Sequence, residues 1–591
     1  MNKISVLLVA AVCIALPFAF AGNAYYSGLA AYAAILALFG LSVNLTVGYL
    51  GYVSFGHAAF FGLGAYAAGL LVMKVGLNFW LALVLAPLPA AALGALVGFA
   101  SARVGGAYFA IATLTTAEIL RLVAANWIDL TRGPLGLIVP RPRIPALEGL
   151  GLSFHQYYLA FCLIALAVAV EIVRRLINSP VGRSWTTIRE SSALAESLGM
   201  PALRQRVINI ALSGALAGLA GALFVPRTLV LTPDLFSPTL SATGLLIAIL
   251  GGKATLIGPL LGGLTFAILP EALRFIDEYR IAIFAVVLLL VVRLQPNGLV
   301  ALLPWFRGRA KALVLQVDAD ASAPIRFSPA DTLTASNLTR RFGGLTAVDD
   351  VSLTVKPGEL VGIIGPNGAG KTTCLSLMSG FLEPSVGQVR FGETEITGRE
   401  PYTAAQSGLV RTFQQTALTP HTTVYENVLS ATYTSIPETF WSSLFQTSSY
   451  RERERQRSSL ARACIDLVGL GARASDEAGS LPYGEQKMLS IAAALATRPR
   501  LLLLDEPAAG LNHTEANQLS SLLRRLREFG LTIAVIDHNL RMMMALCDRI
   551  VVLDRGKLLA AGSPSEVSRN PDVVKAYLGP GRKKEDARAH A

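Results

Sequence analysis

The chain has 591 residues, 53% of them hydrophobic and only 15% charged, so it is long enough for several domains and too apolar for an ordinary soluble protein. Its net charge of +12 does not mark a nucleic-acid binder: many arginines stand in short loops beside apolar runs, where positive charge marks the cytoplasmic side of a membrane, and no nucleic-acid partner is expected. The five cysteines, Cys13, Cys162, Cys374, Cys464 and Cys547, share no CxxC spacing and imply neither a disulfide frame nor a metal site.

In residues 1–303 long apolar runs alternate with short polar loops, and this stretch is expected to be an all-α membrane domain. A transmembrane helix needs about 20 mostly apolar residues. Candidate runs fall at roughly 4–21, 29–49, 58–76, 79–101, 106–125, 156–173, 208–226, 240–250, 259–274 and 281–303. The first has a second reading. Lys3, an apolar stretch and Ala19-Phe20-Ala21 before Gly22 have the layout of an export signal and its cleavage site. More membrane follows, which needs no separate export signal, so a span is expected there.

The segment Arg174 to Arg206 is the longest polar stretch in this half. It sets Arg174, Arg175, Arg183, Arg189, Arg204 and Arg206 against Glu190 and Glu196, which places it in the cytoplasm. The soluble half that follows the last run is expected on the same side, so an even number of crossings separates the two. The stretch 240–274 is interrupted by Gly251-Gly252-Lys253 and Pro259. It meets that parity as two spans or as one re-entrant pair, and not as one helix. Broken backbone at membrane depth needs protein or a water-filled path around it, so this stretch is expected near a translocation path. Arg132, Arg141 and Arg143 fall in a loop that the same count puts outside, against the charge rule.

Gly56, Ala59, Gly62, Gly64 and Ala68 lie along one segment, and Gly214, Ala217, Gly218 and Gly221 along another, as closely packed membrane helices require. His57 opens a span and is expected to be a hydrogen-bonded interfacial residue. Glu118 and Arg121 stand one turn apart on one helix face. An ion pair at membrane depth is either functional or structural, and both readings stay open. Residues 304–333, with Arg307, Arg309, Lys311 and the run Asp318 to Pro324, lose the span-like pattern and read as a flexible tether. Residues 334–580 read as a soluble α/β domain, and 581–591 as a polar tail.

In that domain Leu360 to Ile364 reads as a buried strand. It runs into Gly365-Pro366-Asn367-Gly368-Ala369-Gly370-Lys371-Thr372 and then a helix. This is the phosphate-binding pattern GxxxxGK[ST] in its required strand–loop–helix setting. Its glycines let backbone N–H groups curl around phosphate oxygens at a helix N-terminus. Lys371 is expected at the β- and γ-phosphates, and Thr372 supplies a hydroxyl to Mg²⁺, with Thr373 beside it. Leu501 to Leu504 forms a second buried strand ending in Asp505-Glu506. Asp505 suits holding Mg²⁺ through its water shell, and Glu506 suits activating the attacking water as general base. ATP and Mg²⁺ are the cofactors this predicts.

Further motifs carry a resemblance. Leu481-Pro482-Tyr483-Gly484-Glu485-Gln486, just before the helix that precedes the Leu501 strand, resembles the LSGGQ signature of ABC transporter ATPases. Gln414 in Arg411-Thr412-Phe413-Gln414 matches their Q-loop glutamine, which touches the metal and the water. Ala509-Gly510-Leu511-Asn512 stands at their D-loop. His538, after the strand Thr532 to Ile536, matches their switch histidine. Phe342 lies where an aromatic ring stacks on adenine. Two departures stand out: Pro482 replaces the usual signature serine, and Asn512 the usual D-loop aspartate. In this family Tyr483, Gly484 and Glu485 complete a partner's ATP site, so Pro482 bears on the partner's site and not on this chain's own.

The ATPase half most resembles the branched-chain amino acid uptake subfamily, on Arg411 to Gln414, the signature tyrosine, Asp505-Glu506-Pro507-Ala508-Ala509-Gly510-Leu511-Asn512, the insert Tyr433 to Arg457 and the ending Ala576-Tyr577-Leu578-Gly579. The first half resembles a permease of the same systems, on Leu41 to Tyr49, Ser54 to Tyr66, Tyr108 to Thr113, Ser179-Pro180-Val181-Gly182-Arg183 and Ala195-Glu196-Ser197-Leu198-Gly199. The resemblance implies a polytopic membrane domain followed by a P-loop ABC ATPase. It makes residues 179–206 the coupling segment, with Glu196 and Gly199 at its acidic and turn positions. It implies ATP-driven import of branched-chain or related amino acids by alternating access across an inner membrane, with the ATPase in the cytoplasm. A second permease and a second ATPase subunit are implied partners, as a hetero-oligomer or a homodimer, together with an extracytoplasmic solute-binding protein. An exporter or flippase half-transporter is the alternative, but six spans with long cytoplasmic helical extensions fit this pattern less well.

Overall fold

The computed structural model describes residues 15–20, 23–100, 106–274, parts of 279–302, 327–328 and 331–578. Most of the first apolar run with its export-signal alternative, much of 281–303, most of the 304–333 tether and the 581–591 tail lie outside the described residues. Two compact units form. One comprises Met1–Arg189, Leu203–Arg309 and Ser443–Phe445, the other Glu190–Ala202, Ala310–Ser442 and Gln446–Ala591. Residues 190–202, inside the expected coupling segment, group with the soluble half.

In the first unit α1 (Ala24–Asn44) starts at Asn23, whose side chain accepts from the amides of Tyr25 and Tyr26. It continues into a wider π-turn, Leu45–Leu50, closed by Gly51 at φ +83°. A π-turn displaces the ordinary helical hydrogen bonds, so its carbonyls need other donors. Asn209 Nδ2 donates to the Leu45 carbonyl at 3.1 Å, and Arg189 Nη1 to the Gly48 carbonyl at 2.8 Å.

Next come α2 (His57–Met73), α3 (Phe79–Leu85), α4 (Pro87–Ala100), α5 (Ala107–Asn126), α6 (Phe154–Ile177) and α7 (Pro180–Glu190). The run expected at 79–101 forms one helical stretch, Phe79–Ala100, with a single turn at Ala86 before Pro87, which has no N–H to continue the ladder. After α8 (Ser192–Ser197) come α9 (Ala202–Thr228), α10 (Pro238–Gly251) and α11 (Gly258–Ala272). Arg174 and Arg175 extend α6, and Arg204 and Arg206 open α9, so the polar stretch between them is shorter than its charges suggest. The small-residue faces lie where backbones meet. A Cβ on Gly64 would strike the Gly218 backbone, and one on Gly221 the Phe61 carbonyl. His57 is fully buried and hydrogen-bonded as expected, with Nε2 at 2.8 Å from the Ser213 hydroxyl.

Among the described residues four helical stretches are long and apolar enough to cross a membrane: Ala24–Leu50, Phe79–Ala100, Ala107–Asn126 and Ala202–Thr228. The interruption expected in 240–274 is present. With 14 and 15 residues, α10 and α11 are each only about 21–23 Å long, short of a ~30 Å hydrocarbon core. They pack on each other and on α1. Their connection is pinned to the end of α1 by Asn44, whose amide donates to the Thr255 carbonyl at 2.8 Å and accepts from the Ala254 amide at 2.9 Å.

The second unit is built on two sheets. An antiparallel sheet orders β2 (Leu345–Val355), β1 (Leu333–Phe342), β4 (Val386–Phe391) and β5 (Thr394–Glu395). The other orders β10 (Lys557–Gly562), β9 (Arg549–Asp554), β3 (Leu360–Ile364), β8 (Thr532–Ile536), β7 (Leu501–Asp505) and β6 (Leu409–Arg411). From β9 to β6 its neighbours are parallel. The inner strands β3, β7 and β8 are buried throughout, so continuous apolar runs form them, as two covered faces require. The loops carrying Gly365, Glu506 and His538 all leave the C-terminal ends of these strands, where parallel sheets gather their sites.

Candidate nucleotide site and coupling segment

The loop after β3 leads into α12 (Lys371–Met378), capped by Gly370 at φ +92°. A Cβ there would strike the Ala347 carbonyl, so glycine is needed for both conformation and space. Lys371 folds back into the loop, donating to the carbonyls of Gly365 at 2.9 Å and Pro366 at 3.0 Å. Burial pulls its ammonium below the usual lysine range, against Glu506 and Asp505, which favour the charge. Pro366, Asn367, Gly368 and Ala369 complete the loop, and Thr372 stands exposed on the first turn with Thr373 half-buried beside it. Phe342 ends β1 half-exposed, with the Arg340 guanidinium 4.9 Å from its ring. The Tyr577 hydroxyl in the C-terminal helix reaches the Gly365 backbone, and burial pushes it up to about 12.

At the end of β7, Asp505 is 2% exposed. Its Oδ2 accepts from Arg411 Nη2 at 2.8 Å, while its Oδ1 is buried with no hydrogen-bond partner among the described residues. A buried carboxylate oxygen left without a donor is costly, and the donor it lacks is what a metal-bound water supplies. Asp505 therefore fits the hydration shell of a Mg²⁺ ion.

Glu506 takes a strained φ of +48°, which turns its carboxylate out of the strand line. Gln414 Nε2 donates to its Oε2 at 2.6 Å, and His538 Nε2 stands 2.5 Å from its Oε1. Gln414, Glu506 and His538 are thus brought together, from three separate strand ends.

Sequence reasoning missed the groups behind this cluster. Arg411 lies between the rings of Phe381 and Phe413, at 5.7 Å and 5.3 Å, and also donates to the hydroxyls of Ser376 and Ser379. Lys487, on α17 (Tyr483–Ala496), is 3% exposed and donates to the carbonyls of Gln414 and Glu506. Asp537 accepts from the Ala508 and Asn539 amides at 2.9 Å each. Lys487 follows Glu485 and Gln486 at the polar start of its helix, so nothing in the sequence set it apart.

Pro482 is the N-cap of α17 and gives it no side-chain cap. Tyr483 is half-exposed beside it, and Glu485 pairs with Arg473 at 2.9 Å. Gly484 faces α18 (His513–Glu528), where a Cβ would meet the Glu515 carboxylate. Asn512 caps α18 in a reciprocal box with Glu515, a task asparagine performs as well as aspartate.

In the same unit α8 lies against α13 (Pro401–Gln406). Gly199, at φ +79°, ends the turn after α8; its carbonyl accepts from Gln406 Nε2 at 3.0 Å, and the Leu198 carbonyl from Thr434 Oγ1 at 2.5 Å. Glu196 is half-buried on α8.

Three family profiles match the chain: "Branched-chain amino acid transport system / permease component" over residues 25–292, "ABC transporter" over 348–509, and "Branched-chain amino acid ATP-binding cassette transporter" over 557–579. Among curated proteins it is similar to the high-affinity branched-chain amino acid transport ATP-binding protein BraF of Pseudomonas aeruginosa. The two are 44% identical over 248 residues, 42% of this chain and 97% of that protein. LivG of Escherichia coli K12, with the same description, is 40% identical over the same shares. The lipopolysaccharide export system ATP-binding protein LptB of Escherichia coli K12 is 32% identical, again over those shares.

Proposed function

Because the chain belongs to the branched-chain amino acid ABC transporter family, with permease and ATPase in one polypeptide, we propose that it is one half of an ATP-driven importer for branched-chain or related amino acids. The observation that carries this reading is the independent match of both halves to branched-chain systems. The ATPase alone does not fix direction, since its relatives include an export ATPase. Direction therefore rests on the permease.

The P-loop backbone and Lys371 hold the β- and γ-phosphates of ATP, and Phe342 stacks on the base. Bound Mg²⁺ supplies charge neutralisation at those phosphates, held by Thr372, Gln414 and Asp505. Glu506 takes the proton of the attacking water, while Gln414 and His538 fix the orientation of its carboxylate. Closure of two ATPase domains around ATP presses on the seat of α8, and α8 passes the motion to the permease. One chain carries one permease and one ATPase, so a second pair is required, a hetero-oligomer being favoured, with a solute-binding protein outside the cytoplasm. The signature this chain offers its partner lacks the serine hydroxyl and relies on backbone around Gly484. The membrane is the cell's inner membrane, with the ATPase on the cytoplasmic face.

The test is ATP-dependent uptake of labelled leucine, isoleucine and valine into vesicles holding the chain, its partner subunits and candidate binding proteins. Accumulation of at least one supports import. Failure to accumulate any amino acid overturns it.

A further inference from the structure

Helix α5 buries only Phe109, Thr113, Ala117 and Ala124, one stripe at helical spacing. On another face stand Glu118 and Arg121, about 16 Å and 21 Å along a helix about 30 Å long. Both charges therefore lie inside the candidate membrane span Ala107–Asn126 and not at its ends. They form a forked pair, Arg121 Nε to Glu118 Oε2 at 2.9 Å and Nη2 to Oε1 at 2.7 Å. The pair is not buried: its side chains are 33% and 40% exposed. Arg121 commits two of its five N–H donors there; the Asp234 carboxylate attracts it through space, while among the described residues no other hydrogen-bond acceptor is recorded for it. Lipid tails offer none, so an ion pair left on this surface needs a polar ligand or a water-filled path. Leu114 and Leu122, one turn to either side of Glu118, are 37% and 47% exposed.

We propose that Glu118 and Arg121 form the headgroup site for the transported solute, a zwitterionic α-amino acid with an apolar side chain. The remaining guanidinium N–H groups take its α-carboxylate, the remaining lone pairs of Glu118 its α-ammonium, and Leu114 or Leu122 its hydrocarbon side chain. A fixed positive and a fixed negative charge one helical turn apart match the two charges of one amino acid headgroup. The inference rests on the amino-acid reading above and adds to it where the solute binds.

The test is uptake of radiolabelled leucine by proteoliposomes containing the full chain, its partner subunits and its binding protein. The double swap Glu118→Arg with Arg121→Glu keeps an ion pair but inverts its order along the helix. Glu118→Gln, nearly isosteric, serves if the swap fails to assemble. Losing one charge-assisted headgroup contact should raise the leucine KM by about 10-fold or more. With Glu118→Gln, competition by isocaproate, which has no ammonium group, should stay as in the wild type. A leucine KM unchanged in the assembled variants overturns the site while leaving import intact. Wild-type vesicles that accumulate neither leucine nor any other amino acid overturn the reading on which the site rests.

Discussion

Glu506 owes its position to its neighbours and not to its strand. The main chain turns to φ +48° after Asp505, and Gln414 and His538 each hold one carboxylate oxygen. Behind it, Arg411 holds one oxygen of Asp505, and the other has no hydrogen-bond partner among the described residues. Removing one partner of a buried pair leaves a bare charge. Arg411→Gln should therefore lower stability by about 3–5 kcal/mol, read as a fall in the ATPase unfolding temperature. Replacing Arg411 and Asp505 together by apolar residues should cost less than Arg411→Gln alone. Neither Arg411 nor Lys487 was legible as part of the site. Arg411 stands 94 residues from Asp505, and only the pairing of β6 with β7 brings them together. The P-loop and Asp505-Glu506 were legible because their chemistry requires a fixed local spacing.

At the scale of elements, the turn after α8 depends on Gly199. A β-branched residue there would be strained at φ +79° and would strike the Thr434 side chain. Gly199→Val should cost about 1–3 kcal/mol at this turn. In reconstituted vesicles it should raise the ATP hydrolysed per solute moved, because hydrolysis persists while transport falls. The start of β3 is tied to β9 by Glu359 and Arg549, 2.6 Å apart. Burial pushes the Glu359 carboxyl up, but the bonds from Arg549 and the Lys356 amide outweigh it and hold it below its ordinary value of 4.5. Its stabilising effect is therefore present above pH 4.5 and is lost as pH falls through the lower folded value. Glu359→Gln should flatten the acid limb of unfolding temperature against pH. Strands β3, β7 and β8 were legible as unbroken apolar runs. The ends of α6 and α9 were not, because arginines continue both helices beyond their apolar stretches.

At the scale of the molecule, the helical break in 240–274 was legible from Gly251-Gly252 and Pro259. The π-turn after α1 was not, because its donors, Asn209 and Arg189, come from elements far along the chain. The grouping of residues 190–202 with the ATPase half was legible only through the resemblance that makes 179–206 the coupling segment, because hydropathy alone does not say which surface they meet. The account's central claim is that hydrolysis at Glu506 drives solute movement through the permease of the same family system. Glu506→Gln keeps the shape of the site and removes the base, which should slow ATP hydrolysis by about 100- to 10,000-fold. The most direct measurement is leucine accumulation by reconstituted vesicles carrying this variant, with ATP binding followed in the same preparation. The account predicts that ATP still binds and that accumulation against a gradient stops. Leucine flux continuing at the wild-type rate would contradict it and would make the nucleotide domain a regulator of a passive path.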